Sequence, residues 1–307
     1  YEYEFENSKF YGLPYQETES ISHEGVKDYL TGISKYKPRD YQIEGVTDAL
    51  QKNRRLIISP TGSGKSLMIY AITRYHMENQ RSTLIVVPTT YLVEQMYKDF
   101  VDYGWNVEDI CHKIYAGKDL MSKHPVIIST WQSIYKLPKD WFNRFDVVIG
   151  DEAHQFKSKS LVSIMTKLYD TKYRYGFTGT LDGTQTHKWV LEGLFGPSYK
   201  IVNTKELQEK GYLATLNIKV LLLKHEPQVF DTYEDEVQYL IGHEKRNKFI
   251  KNLSWDLKGN TLILYSRVAT HGEVLYDLIN TNERKIFFVH GGVDVEERES
   301  VRQITEE

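Results

Sequence analysis

Four unbroken apolar runs constrain this chain more than any other feature: residues 56–58 (Leu-Ile-Ile), 84–87 (Leu-Ile-Val-Val), 126–128 (Val-Ile-Ile) and 147–149 (Val-Val-Ile). A strand with one wet face alternates apolar and polar residues, whereas continuous β-branched runs suit strands covered on both faces, as in a parallel sheet held between helices. The stretches between them agree. Residues 66–78 and 91–103 are helical in character, and in the second Leu92, Met96 and Phe100 fall on one face. Strand, helix, strand, helix predicts an α/β domain with right-handed crossovers. A further strand is expected over 173–177.

After Phe177 the pattern weakens through Gly193, Gly196 and Gly211, and then restarts with expected strands at 218–223, 261–265 and 285–289 and a helix over 271–280. The division that follows is an acidic N-terminal extension over 1–30, one α/β domain over 31–211 and a second, partial one over 212–307. In the extension Glu2, Glu4, Glu6, Glu17, Glu19, Glu24 and Asp28 face only Lys9 and Lys27, with little apolar periodicity before Val26. With 307 residues the chain exceeds the usual single domain, and the missing Met and the helix in mid-course near Val301 lead us to expect a piece of something longer.

Balanced charge, 39 Lys+Arg against 42 Asp+Glu for a net of -3, excludes a protein that holds nucleic acid simply by being basic. The single Cys111 excludes an internal disulfide and fits a reducing compartment. No apolar run approaches the roughly 18 residues of a membrane helix. The expectation is a cytoplasmic protein.

The strongest chemical signal is Ser59-Pro60-Thr61-Gly62-Ser63-Gly64-Lys65-Ser66, placed directly after one apolar run and before a helix. That context suits a phosphate loop. Gly62 and Gly64 let backbone N–H groups curl round phosphates, Lys65 supplies a full charge and the Ser66 hydroxyl would ligate Mg²⁺. Ser59 stands where the general motif has Gly, and the alternative is a plain Gly/Ser turn. A second signal is Asp151-Glu152-Ala153-His154, two carboxylates at the end of a buried strand, the edge where open parallel sheets bind ligands. Asp151 would hold Mg²⁺, partly through water, and Glu152 would orient and deprotonate the attacking water. Thr178 and Thr180 follow the 173–177 strand next to His154 and could link the nucleotide side to a strand-binding side; the alternative is that they cap the following turn. Trp131 could stack on an unpaired base, or be core.

Together, the Thr-Gly-Ser-Gly-Lys-Ser loop, Asp-Glu-Ala-His and Thr178-Gly179-Thr180 resemble motifs I, II and III of superfamily 2 helicases. The resemblance spans about Lys37 to Arg302. Pro38-Arg39-Asp40-Tyr41-Gln42 is similar to the upstream Q motif, which implies that Gln42, with Arg39 beside it, serves the adenine. Residues 87–95 are similar to motif Ia, 128–133 to motif Ib and 262–267 to motif IV. His290-Gly291-Gly292 with Arg298 is similar to the segment before motif V. The strings Val-Pro-Thr-Thr, Phe-Val-Asp-Tyr, Ser-Thr-Trp-Gln and Lys-Arg-Asn-Lys resemble the UvsW-like recombination helicases of phages.

The resemblance implies an α/β fold of two RecA-like parallel-sheet domains, the second incomplete here. It also implies ATP and Mg²⁺ as cofactors and branched or forked DNA as the partner of a monomeric motor in recombination, repair and replication. Nucleotide would be bound by Arg39, Gln42, Thr61, Gly62, Ser63, Gly64, Lys65 and Ser66. Thr89, Thr90, Thr130 and Arg267 would meet DNA phosphates; hydroxyls and N–H groups grip phosphate without raising net charge, but each of these residues could equally be a turn or cap residue. The arginine of the second domain is expected beyond Glu307, so that these residues would bind Mg²⁺-ATP and hydrolyse it slowly. An RNA helicase, a restriction-type translocase and a nucleotide-gated clamp remain alternatives.

Overall fold

The computed structural model describes residues 21–115, 120–156, 158–181, 183–280 and 284–306. The early acids Glu2, Glu4, Glu6, Glu17 and Glu19 lie outside them, as do Lys9 and Glu307. Two compact units divide between Leu216 and Asn217.

The first unit opens with helices α1 (His23–Ile33) and α2 (Asp40–Lys52). Ser22 caps α1, its hydroxyl accepting from Gly25 N at 3.0 Å, and Val26 and Leu30 are buried in the core. The stretch over 23–30 is therefore part of the domain's own packing, a difference from a peripheral extension running to residue 30. The amphipathic spacing from Val26 to Leu30 is what makes it so. Strand β1 (Arg54–Ile58) then leads through the glycine-rich loop into α3 (Lys65–Glu78), followed by β2 (Thr83–Val87), α4 (Thr90–Asp102), β3 (Cys111–Ile114) and β4 (Val126–Thr130). Two short helices, α5 (Trp131–Ile134) and α6 (Lys139–Phe142), precede β5 (Val147–Gly150), α7 (Lys159–Lys167), β6 (Tyr173–Thr178), α8 (Gln185–Phe195), β7 (Ser198–Lys200) and α9 (Thr204–Glu209).

The strands form one seven-stranded sheet in the order β3-β4-β2-β5-β6-β1-β7, and every pairing is parallel. Alternate residues of each apolar run enter different cores: Ile57, Ile85, Val147 and Ile149 face one, Leu56, Leu84, Val86 and Val148 the other. Burying each such side chain contributes roughly 1.5–3 kcal/mol, which is why these strands can tolerate no polar face.

Two glycines shape the second core. Gly150 of β5 and Gly176 of β6 are register partners. Their missing side chains admit the Phe195 ring: a Cβ would lie 2.7 Å from it at Gly150 and 2.8 Å at Gly176. Arg174, almost fully buried on β6, spends its guanidinium on carbonyls, donating to Leu168 O at 2.6 Å, Thr171 O at 3.2 Å and Leu194 O at 3.3 Å. It thereby ties the ends of α7 and α8 to the sheet.

The second unit contains α10 (Tyr233–Gly242), α11 (Glu244–Asp256), a π turn (Val268–Glu273) running into α12 (Val274–Ile279), and α13 (Val295–Glu306), which carries Arg298. The strands expected at 218–223, 261–265 and 285–289 are not formed among the described residues, which corrects the reading of the sequence at those places. A strand exists only as a hydrogen-bonded pair; the segments 261–265 and 285–289 meet through side chains instead, and Ile218, Val220 and Leu222 of the remaining one stay exposed. Tyr265 stacks on Phe288 at 5.3 Å and donates its hydroxyl to Val289 O at 2.6 Å. Leu262 and Leu264 stay more than four-fifths exposed. No described helix is long and apolar enough to cross a membrane.

Candidate nucleotide site and nucleic-acid edge

Because all strands are parallel, the loops after β1, β2, β4, β5 and β6 emerge at one edge. The register aligns Ile58 with Thr178, Gly176 with Gly150, Val86 with Gly150 and Val87 with Thr130. β6 lies between β1 and β5, so Thr178 ends between the glycine-rich loop and the Asp151-Glu152 pair.

The geometry of the loop suits a phosphate cradle. Gly62 and Gly64 both adopt φ of +79°, a left-handed conformation open to glycine. Gly64 caps α3, which puts Lys65 and Ser66 in its first turn. Ser59 N–H donates to Thr178 O at 2.9 Å, and the buried Ser59 hydroxyl reaches Ser63 Oγ at 2.5 Å. That bond gives the serine at this variant position a use: it braces the two ends of the turn. Lys65 Nζ lies 3.5 Å from Ser59 O, and Thr61 and Lys65 both approach Gly179, whose Cβ would stand 3.5 Å from Thr61 Oγ1 and 3.7 Å from Lys65 Nζ.

The upstream motif grips this loop from behind. Gln42 is buried; its Oε1 accepts from Arg39 N at 2.9 Å, while its Nε2 donates to Ser63 O at 3.0 Å and Gly64 O at 3.4 Å. Tyr41 OH donates to Ser63 O at 2.8 Å, Arg39 Nη1 donates to Tyr41 OH at 2.8 Å, and the Arg39 guanidinium covers the Tyr212 ring at 4.1 Å. Both amide atoms of Gln42 are thus engaged with the protein backbone, so adenine would have to exchange one of these bonds. Tyr41 and Tyr212 were not singled out from the sequence, although Tyr41 lies inside the quoted motif.

Asp151 and Glu152 follow β5. Asp151, 8% exposed, continues the ladder with its N–H to Val86 O at 3.0 Å, and its carboxylate accepts from Glu152 N at 2.9 Å. Burial first, and the charge of Glu152 second, push the Asp151 pKa up to about 6, against the pull of Lys65. A buried acid beside another, with one lysine to offset them, is short of positive charge. That deficit, and the hydroxyl of Ser66, suit an oxygen-liganded divalent cation such as Mg²⁺ brought in with a nucleotide. Glu152 holds φ of +50° and ψ of +49°, a left-handed backbone for a non-glycine residue.

His154 Nδ1 lies 3.3 Å from Glu152 Oε2 and 3.1 Å from Thr178 Oγ1, and the Thr178 hydroxyl donates to Thr180 O at 2.9 Å. The structure therefore brings His154, Thr178 and Thr180 together. His187 of α8 adds a donor from Nε2 to His154 O at 3.0 Å, a contact for which the sequence offered no signal.

Further along the same edge, Thr89 caps α4, its hydroxyl accepting from Leu92 N at 3.3 Å, and both Thr89 and Thr90 are exposed. Thr130 is nearly buried with Oγ1 2.9 Å from Ser133 Oγ, and Trp131 packs edge-on to Tyr135 at 5.9 Å beside the second core. Gln132 Nε2 donates to Pro88 O at 3.2 Å and ties these two loops together. Arg267 belongs to the second unit, where it pairs with Glu234 at 2.6 Å.

A glycine-rich loop after the first strand, an acid pair one strand beyond its neighbour, and a hydroxyl between them mark a RecA-like domain of the helicase kind. Comparison with known proteins narrows this. The family described as type III restriction enzyme, res subunit, matches residues 35–183. The ATP-dependent DNA helicase uvsW of Enterobacteria phage T4 is 33% identical over 310 residues, covering 94% of this chain and 61% of that protein. The DNA 3'-5' translocase XPB2 of Sulfurisphaera tokodaii is 33% identical over 193 residues, 61% of this chain and 40% of that one. A crystal structure of the T4 UvsW helicase superimposes with a TM-score of 0.54 at 34% identity, covering 60% of this chain and 69% of that one. A second T4 UvsW structure gives 0.56 at 30% identity, over 94% of this chain and 60% of that one. The chain is a homologue of the T4 UvsW helicase and spans about three fifths of that relative's length.

Proposed function

We propose that this chain is the nucleotide-binding part of an ATP-dependent DNA helicase or translocase that remodels branched DNA. One observation carries the reading: Lys65 and Ser66, Asp151 and Glu152, and the His154–Thr178 contact converge on one edge of one sheet, between the exposed Thr89–Thr90 loop and the glycine-rich loop. The backbone N–H groups of the loop and Lys65 would hold the β- and γ-phosphates, and Ser66 and Asp151 would hold Mg²⁺. A bound Mg²⁺ supplies charge neutralisation at the phosphates. Glu152 would take the proton from the water that attacks the γ-phosphorus, releasing ADP. His154 and Thr178 would report the state of that site toward the loops that grip phosphates of DNA. The names of two of the relatives, a DNA helicase and a DNA translocase, support DNA as the track; recombination, repair and replication in a host cytoplasm are the setting that the resemblance in the sequence implies. Thr89, Thr90, Thr130 and Arg267 are the proposed phosphate contacts.

The test is ATP hydrolysis by the protein alone and with forked DNA, linear duplex DNA or structured RNA. Stimulation greatest by forked DNA is the expected result. Stimulation by RNA alone would overturn the choice of track, and loss of nucleotide binding nowhere in a Lys65→Ala variant would overturn the phosphate-loop reading.

A further inference from the structure

His154 is held twice by one stretch of chain. Its ring meets the Thr178 hydroxyl at the end of β6, and its main-chain carbonyl accepts at 3.0 Å from Nε2 of His187, in the first turn of α8. A carbonyl oxygen can only accept, so Nε2 carries the His187 proton that makes this bond. His187 is 6% exposed, and Leu191 and Phe195, one and two turns further along α8, are buried with it. Spacing of four puts all three on one face. At the far end of that face Phe195 fills the slot at Gly150 and Gly176 and meets the Phe156 ring at 5.1 Å. The helix is thereby indexed on β5 and β6, the strands that lead to Asp151 and end in Thr178, and its near end brings His187 to a set place.

The turn after Asp151 shows what that place is for. Inside it Gln155 N–H donates to Glu152 O at 3.0 Å, Phe156 N–H to Ala153 O at 2.9 Å and Ser158 N–H to Gln155 O at 3.3 Å. The His154 carbonyl departs from this series and takes its donor from α8. The turn also starts from the left-handed backbone of Glu152, a conformation that a non-glycine residue keeps only where its surroundings hold it. The His187 bond holds it from outside, through the residue whose ring stands 3.3 Å from the Glu152 carboxylate.

We propose that His187 is a positioning residue for the activation of water at Glu152: by fixing the His154 carbonyl it keeps the His154 ring between Thr178 and Glu152. The inference rests on the reading of Glu152 as the base and adds to it a residue outside every motif that marked the site. A displacement of about 1 Å at a reacting group can cost roughly 10²-fold in rate, so a single bond to the turn has ample leverage.

The experiment compares the parent with His187→Leu, which keeps the burial and has no donor, and with His187→Gln, whose amide N–H can reach the same carbonyl. Each is measured for affinity toward a fluorescent ATP analogue, for single-turnover ATP hydrolysis with forked DNA, and for its urea unfolding midpoint. In His187→Leu hydrolysis should fall roughly 10-fold or more while ATP affinity stays within about 2-fold of the parent, and His187→Gln should recover most of the rate. Thr178→Val acts through the same imidazole, so the His187→Leu/Thr178→Val pair should lose less than the product of the two single losses. In NMR spectra of protein carrying isotope-labelled histidine, His154, assigned by its absence from His154→Gln, should pass from one neutral tautomer to a mixture in His187→Leu. Parental hydrolysis with a single His154 tautomer in His187→Leu overturns the proposal. So does a rate loss that tracks ATP affinity or the urea midpoint and is not recovered in His187→Gln, which is the behaviour of a purely structural histidine. Parental turnover in Glu152→Gln would instead sink the base assignment beneath it.

Discussion

His154 Nδ1 stands 3.1 Å from Thr178 Oγ1, and since the threonine proton is given to Thr180 O, the histidine is the donor. Neutral His154 is thereby fixed as the Nδ1–H tautomer, with that proton shared toward Glu152 Oε2 at 3.3 Å. One imidazole N–H thus joins the end of β6 to the proposed general base. Thr178→Val keeps the shape and removes the acceptor. Nucleotide affinity should hold, while DNA-stimulated hydrolysis should fall roughly 10-fold, the value of a hydrogen bond of about 1.4 kcal/mol. Thr178→Ser should restore it. Measuring stimulated and unstimulated rates side by side checks this, and equal loss in both would remove the coupling role.

Glu152→Gln and Lys65→Ala should fail at different steps. The glutamine keeps size and hydrogen bonding but cannot take a proton, so ATP should bind while turnover drops roughly 10²-fold or more. Lys65→Ala removes the loop's own cation and should weaken ATP binding itself. Equilibrium binding and single-turnover hydrolysis on the same samples separate the two. Parental turnover in Glu152→Gln would take that residue out of the chemistry.

Stability should depend on pH through His76. The ring is buried, Arg81 Nη1 donates to its Nδ1 at 3.3 Å, and Nε2 faces the Tyr175 hydroxyl at 3.1 Å. Burial, and then the Arg81 charge, hold its pKa down to about 3. Between pH 6.5 and 3 the unfolded chain therefore binds a proton that the folded chain refuses, so stability rises with pH and is lost as pH falls below about 6.5. The slope approaches about 1.4 kcal/mol per pH unit, or about 2 kcal/mol by pH 5. Urea titrations at pH 7 and pH 5 should show this, and His76→Gln should flatten the difference by that amount.

Gly176→Ala tests the slot for Phe195. The new methyl would enter the ring at 2.8 Å, where the backbone of two paired strands cannot give way. Overpacking of this kind costs about 1–3 kcal/mol. Phe195→Leu, damaging alone, should recover part of the loss when combined with it. Additive effects in the unfolding midpoints would show that the two do not meet.

The apolar runs were legible because burial on both faces leaves no polar positions, and the four strands they mark form the middle of the sheet with β6. β3 and β7 escaped notice for the converse reason: as the two edges they carry His112, Lys113, Ser198 and Lys200 in short segments with no unbroken apolar character. In the second unit, the runs at 218–223 and 261–265 advertise a capacity for strands, but pairing is a property of two segments and no single sequence window contains it. The site divides in the same manner. Gly62, Gly64, Lys65 and Asp151 are fixed by backbone geometry and charge at set spacing, which local sequence encodes. Tyr103 is an ordinary residue capping the end of an amphipathic helix, and only the packing of α4 on α3 brings its hydroxyl to within 2.6 Å of that of Ser66.

The left-handed backbone of Glu152 sets stability and turnover against each other at a single codon. A non-glycine residue there costs about 1–2 kcal/mol, which Glu152→Gly would largely return. That change would also delete the proposed base. Selection of variants for heat resistance alone should therefore drift toward glycine at this position and yield a sturdier protein that binds ATP without consuming it, whereas selection for DNA remodelling should hold the strained glutamate in place.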